Sequence, residues 1–253
     1  MSILPVCCGA AVMGEGLART ERQQTLCCGE KEHFMKRALT ESKIVAIIRG
    51  VPPDRILDTA RALSAGGIRF IEMTFPQGRD TDGVCRSIRD VAVNLGDRVF
   101  VGAGTVLTRE QVRAARDSGA EYIISPVVDE AVIEETLKLG MLSIPGAMTP
   151  TEIYAAYRAG ANFVKVFPAS VLGPDYFKAV KAPLPGIPLI AVGGIDENNA
   201  AGFLNAGACA LGIGGRLIDK KAVESGDYAA VTRAAGRMAE AVKWPSRSAD
   251  SSH

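Results

Sequence analysis

No apolar run in this chain approaches the ~20 residues needed to cross a bilayer, which argues against a membrane-spanning helix and predicts a soluble protein. An excess of one charge is also missing. Lys+Arg 29 stand against Asp+Glu 28, a formal net charge of +1. With no basic stripe and no acidic run, neither a nucleic-acid partner nor a disordered acidic tail is expected. Histidine is scarce, and the cysteines lack metal-site spacing. Cys7-Cys8 and Cys27-Cys28 are adjacent pairs with only His33 nearby, a spacing that matches no common zinc site; a soft metal on these four is the alternative to incidental reduced thiols, which are the expectation. Cys85 and Cys209 lie in apolar settings, where cysteine behaves as a small hydrophobe. Reduced thiols fit a cytoplasmic protein. The start has no basic region ahead of its short apolar stretch and is a poor secretory signal.

What is present is a regular alternation. From Lys43 onward, short β-branched and apolar runs are separated by longer amphipathic stretches. Eight strand candidates follow: 44–49, 70–75, 99–102, 122–125, 141–144, 163–167, 189–192 and 210–213. Helix signals sit between them. Pro53 to Ala65 ends at Gly66-Gly67, Thr108 caps a helix with Gln111 at N3, and Thr149-Pro150-Thr151-Glu152 opens another. Asp196 is expected to begin the helix after the seventh strand. The phrases Ala65-Gly66, Gly119-Ala120, Ala159-Gly160-Ala161 and Ala206-Gly207-Ala208 supply left-handed helix ends.

Near-continuous apolar strands alternating with helices mean a parallel sheet covered by helices. Eight units in 253 residues predict one (β/α)8 barrel, a TIM barrel, with an N-terminal helix. The alternative is an open doubly wound sheet, but no G-x-G-x-x-G follows the first strand. Residues 1–30 read as a flexible extension, 31–245 as the barrel and 246–253 as a frayed tail.

Lys165 is the oddest placement, in the middle of the strand Phe163-Val164-Lys165-Val166-Phe167. Lysine is almost never fully buried unless paired, and burial lowers its pKa. A neutral amine can condense with a ketone; the bland alternative is a snorkelling side chain whose head reaches solvent. Barrel chemistry gathers at the C-terminal strand ends. That face should collect Arg49 after strand one, Glu72 and Thr74 on one side of strand two, Thr105 after Gly102-Ala103-Gly104, Ser125-Pro126 after strand four, and Lys165. Together they offer a nucleophile, an acid/base and a carboxylate binder. Glu72 could instead pair with Lys165 structurally, and Thr105 could serve only its turn. The loops Gly193-Gly194-Ile195 and Gly214-Gly215-Arg216 follow strands seven and eight, where barrels often bind phosphate. The bland reading is tight turns needing positive φ.

The phrases Ile44-Val45-Ala46-Ile47-Ile48-Arg49, Ile71-Glu72-Met73-Thr74-Phe75, Gly102-Ala103-Gly104-Thr105, Ile124-Ser125-Pro126, Ile144-Pro145-Gly146, Val164-Lys165-Val166-Phe167-Pro168 and Gly193-Gly194-Ile195 occur in an order and spacing that resemble one family. It is the 2-keto-3-deoxy-6-phosphogluconate / 4-hydroxy-2-oxoglutarate aldolases, class I barrels. The resemblance implies Lys165 as the Schiff-base lysine and Glu72 as the general acid/base. It further implies Arg49, Thr105, Thr74, Pro126 and Phe167 in substrate binding, and Gly193, Gly194, Gly214, Gly215 and Arg216 around a phosphate. The implied substrate is a small keto acid, with no cofactor, no metal and a homotrimeric assembly. Three departures stand out. Phe75-Pro76-Gln77 occupies a place where some members carry an arginine, Val192 precedes Gly-Gly where Thr is frequent, and Arg216 follows Gly-Gly where Ser is frequent. Phosphogalactonate aldolases of the family also carry Val before Gly-Gly, so that substrate is the alternative to the gluconate type. A phosphate-binding epimerase or isomerase barrel, or a barrel that binds without turnover, are the alternatives of other classes.

Overall fold

The computed structural model describes residues 28–76 and 81–243. Helix α1 (Cys28–Ser42) precedes β1 (Ile44–Ile48), α2 (Pro53–Ala65), β2 (Phe70–Thr74), α3 (Asp82–Leu95), β3 (Phe100–Gly104), α4 (Arg109–Asp117) and β4 (Tyr122–Ile124). Then come α5 (Glu130–Lys138), β5 (Leu142–Ile144), β6 (Gly146–Ala147), α6 (Pro150–Arg158), β7 (Val164–Val166) and α7 (Ala169–Lys181). The chain continues through β8 (Leu189–Val192), α8 (Ala200–Asn205), β9 (Ala208–Ile213), α9 (Lys220–Ser225) and α10 (Tyr228–Lys243).

The strands pair in parallel in the order β5-β4-β3-β2-β1-β9-β8-β7-β6. Only Pro145 separates β5, which pairs with β4, from β6, which pairs with β7. Proline has no N–H to place in a ladder, and its carbonyl still accepts from Lys165 N at 2.9 Å. The fifth strand is therefore one strand kinked at Pro145, and the sheet is the expected (β/α)8 barrel.

Alternation along the strands divides two apolar layers. Ile44, Ala46, Ile48, Ile71 and Met73 face the helices. Val45, Phe70, Phe100, Tyr122 and Phe163 fill the lower interior, where Met35 and Leu39 of α1 close the floor. Phe70 and Phe100 stack with ring centroids 4.4 Å apart. Buried Asn162 ties α1 to the barrel, accepting from Ser143 N at 2.7 Å and donating to Glu32 Oε1 at 2.8 Å. Among the described residues no helix is long and apolar enough to cross a membrane.

Several local expectations are revised. Among the described residues, helix α1 runs from Cys28. Cys7, Cys8, Cys27 and the 246–253 tail lie outside the described residues. Strand β3 runs on to Gly104, so Gly102-Ala103-Gly104 is strand rather than turn. Gln111 Oε1 accepts from Leu107 N at 2.7 Å, while Thr108 caps Gln111 N at 3.2 Å. Thr149 and Glu152 form a full capping box. The helix after β8 starts at Ala200 rather than Asp196, because the Asp196 carboxylate first caps Asn198 N and Asn199 N in a turn. Positive φ falls at Gly67, Gly119, Gly160 and Gly207, with Gly67 taking the role expected of Gly66.

Candidate active site

The inward faces of β1, β2 and β7 end in Arg49, Glu72 with Thr74, and Lys165. Lys165 is only 6% exposed and Glu72 1% exposed. Thr74 and Pro126 are half-buried and Arg49 is exposed at the mouth. Burial holds the Lys165 ammonium below the ordinary lysine range; the Glu72 carboxylate opposes that shift and the Arg49 charge adds to it. Burial raises the Glu72 carboxyl above the ordinary range, against the pull of Lys165 and Arg49. Each group is thus driven toward its neutral form.

Lys165 and Glu72 do not form an ion pair in the structure, and Glu72 Oε2 has no protein hydrogen-bond partner. A purely structural pair would close that gap, since a buried ion pair needs close geometry to offset desolvation. A neutral-leaning amine and a neutral-leaning carboxyl, both buried and not paired with each other, suit a reacting molecule that engages both. The snorkelling alternative requires the Lys165 head in solvent, and its burial is against that. Lys165 Nζ lies 5.1 Å from the centroid of the Phe167 ring, which is 44% exposed at the mouth. The Phe167-Pro168 peptide is cis.

Arg49 Nη2 donates to Thr105 Oγ1 at 3.4 Å, and Thr74 Oγ1 donates to Ile48 O at 3.4 Å. Thr105 is a β-branched residue with φ +58. Such a conformation costs on the order of 1–3 kcal/mol and clusters at functional sites. Pro126 tops β4, with its carbonyl pressed against Gly146 where no Cβ would fit.

The two glycine loops lie at the same mouth. Gly193 and Gly194 have φ +98 and +71, conformations that an L side chain rarely adopts. Their carbonyls are tied back: Gly193 O accepts from Ser170 N at 3.0 Å, and Gly194 O accepts from Asn199 Nδ2 at 2.8 Å. The Gly194 and Ile195 N–H groups donate to no protein acceptor among the described residues, leaving two adjacent backbone donors unengaged. Arg216 follows Gly214-Gly215 and is exposed to solvent, with Nη2 3.6 Å from Asp196 Oδ2. Positive φ and free donors coexist here, so the turn reading and the anion reading describe the same loop. Among the described residues no three His, Cys, Asp or Glu side chains gather as a metal site.

A family model for KDPG and KHG aldolases matches residues 35–234. The chain belongs to that aldolase family. It is 38% identical to the 2-dehydro-3-deoxy-6-phosphogalactonate aldolase of Escherichia coli K12 over 181 residues, covering 70% of this chain and 85% of the relative. The 2-dehydro-3-deoxy-phosphogluconate aldolase of Treponema pallidum is 33% identical over 197 residues, 77% of this chain and 91% of the relative. A solved structure described as native KDPGal superposes with a TM-score of 0.71 at 35% identity, covering 79% of this chain and 94% of that one.

Two residues of this aldolase escaped the sequence reading. Gly102 and Gly104 follow Phe100 on the inward face of β3, in register with Glu72 and Thr74. A Cβ at Gly104 would lie 2.7 Å from Glu72 Cγ and nearer still to its Cδ and Oε1. A Cβ at Gly102 would lie 2.5 Å from Tyr122 Cδ2 and nearer to other ring atoms. Gly104 is therefore the cradle of the Glu72 carboxylate, and Gly102 that of the Tyr122 ring. The signal was the period-two alternation of Phe100, Gly102 and Gly104, hidden because Gly-Ala-Gly reads as a turn.

Proposed function

We propose that this aldolase cleaves a 2-keto-3-deoxy-6-phospho sugar acid, or 4-hydroxy-2-oxoglutarate, to pyruvate and an aldehyde through a Schiff base on Lys165. The observation that carries the reading is the burial of an unpaired lysine facing an unpaired, equally buried glutamate in the barrel mouth.

The neutral Lys165 amine attacks the C2 ketone, and Glu72 passes protons as the carbinolamine loses water. The resulting iminium withdraws electrons from the C3–C4 bond. Glu72 then takes the C4 hydroxyl proton, the bond breaks, and the aldehyde leaves. The C3–C4 electron pair becomes the enamine, which is protonated at C3 and hydrolysed to pyruvate and free Lys165. A carboxyl raised toward neutrality both holds and releases protons, and such acid/base work contributes ~10²–10⁴-fold. Arg49 and Thr105 bind the C1 carboxylate in this reading, which their mutual contact supports. Thr74, Pro126 and Phe167 line the path to it. The free N–H groups of the Gly193-Gly194 loop, with Gly214, Gly215 and Arg216, receive the phosphate, and glyceraldehyde 3-phosphate or glyoxylate is the leaving aldehyde.

The gluconate-type acid is the principal reading. The galactonate type is the second, favoured by Val192 before Gly-Gly and by the 38% identity to the Escherichia coli phosphogalactonate enzyme. Pyruvate release from both C4 epimers and from 4-hydroxy-2-oxoglutarate tests the reading and chooses among them. Release from none of the three would overturn it. The same reading takes the enzyme as a cytoplasmic homotrimer. Exposed Val127, Met148, Tyr154, Tyr157 and Val171, which run in sequence from the end of β4 into α7, support it by supplying apolar surface for self-association.

A further inference from the structure

The residues flanking the two glycine pairs, Val192 and Arg216, carry no hydroxyl. A phosphate monoester presents several acceptor oxygens, and free backbone donors of one loop satisfy only part of them. Another donor is needed from a neighbouring element. In strand order the neighbour of β8 on the other side is β7, and the loop leaving β7 enters α7 at Ala169.

Ser170 lies at that point. Its backbone N–H holds Gly193 O at 3.0 Å. Its side chain packs directly on Gly194: a Cβ there would overlap the Ser170 Cβ and Oγ and lie 3.8 Å from Cα. Ser170 is exposed, and its hydroxyl has no protein partner among the described residues. The bare Cα of Gly194 is thus what leaves room for this hydroxyl beside the free Gly194 and Ile195 N–H groups. Helix α7 itself does not supply the site, because it breaks at Gly173, φ +75, one turn in.

We propose that Ser170 is the hydroxyl donor of the phosphate subsite and a determinant of preference for phosphorylated keto acids. The proposal rests on the phosphate reading of the glycine loops. It adds a third loop to the two after β8 and β9, and makes Ser170 and Gly194 a mutually dependent pair. Gly194 must stay without a side chain for Ser170 to reach the anion, so Gly194→Ala removes the same donor by displacement.

Ser170→Ala tests it. A hydrogen bond to a charged partner corresponds to about tenfold or more in affinity. The expected result is a KM for the phosphorylated sugar acid about tenfold higher with kcat near wild type. 4-Hydroxy-2-oxoglutarate, which has no phosphate, should keep both constants, and it also reports that the variant folds. Inorganic phosphate is an independent probe: calorimetry should show it binding wild type and binding Ser170→Ala about tenfold more weakly. Equal losses on both substrates, or unchanged phosphate binding in the variant, would overturn the proposal. If wild type binds phosphate yet cleaves neither acid, the aldolase reading fails while the Ser170 assignment is still judged by calorimetry.

Discussion

Gly104→Ala is the sharpest perturbation of the site, because it adds one methyl group against one functional atom set. The new Cβ would lie 2.7 Å from Glu72 Cγ, where nonbonded carbons rest at about 3.5–4.0 Å. Cγ must move by about 1 Å, and the nearer carboxyl atoms by more. Glu72 is 1% exposed, so the carboxyl has no solvent to swing into. A misplacement of about 1 Å can cost 10²-fold in rate, and complete loss of acid/base catalysis costs ~10²–10⁴-fold. We therefore expect kcat for pyruvate release to fall by about 10²–10⁴-fold. Overpacking should also cost about 1–3 kcal/mol of stability. Gly102→Ala is the matched control on the same face of β3, striking the Tyr122 ring instead. It should lose similar stability in denaturant melts while keeping kcat close to wild type. The reasoning is refuted if Gly104→Ala keeps kcat within about threefold, or if both variants lose activity in step with their stability.

Further expectations concern the two buried charges. Lys165→Met should abolish lyase activity yet raise Tm by about 2–4 °C, because an apolar chain replaces an amine whose charge burial opposes; a fall in Tm would mean that Lys165 serves the fold. Because Lys165 must be neutral to attack and its pKa is lowered, kcat/KM should rise with pH through a midpoint below 10.5. A midpoint at or above 10.5 contradicts the burial argument. Glu72, with a raised folded pKa, binds more protons folded than unfolded at pH above 4.5. Its contribution to stability therefore declines as pH rises from 4.5 toward that raised value. Glu72→Gln removes this slope, so unfolding free energies of variant and wild type should diverge in the variant's favour with rising pH. Parallel pH curves would refute it.

Much of the barrel was legible because its strands are buried on both faces and read as short β-branched runs. Lys165 stood out for the same reason: a charge breaks an apolar run visibly. Glu72 was readable from its place in the next such run. Gly104 was not, since a glycine chosen to leave space for a carboxylate on the neighbouring strand looks like one chosen for a turn. Ser170 was hidden similarly, its meaning set by contact with Gly194 across two loops. Asp196 misled because a cap for a preceding turn resembles a helix N-cap. The break at Pro145 was equally unreadable as a kink that lets one strand serve two neighbours.

The central claim is that Lys165 forms the covalent adduct. Incubation with pyruvate and borohydride, followed by peptide mass mapping, tests it most directly. Reduction of the imine should fix an addition of about 72 Da on the peptide carrying Lys165, absent from Lys165→Ala. An adduct on another lysine, or none on wild type under conditions that give turnover, would contradict the account.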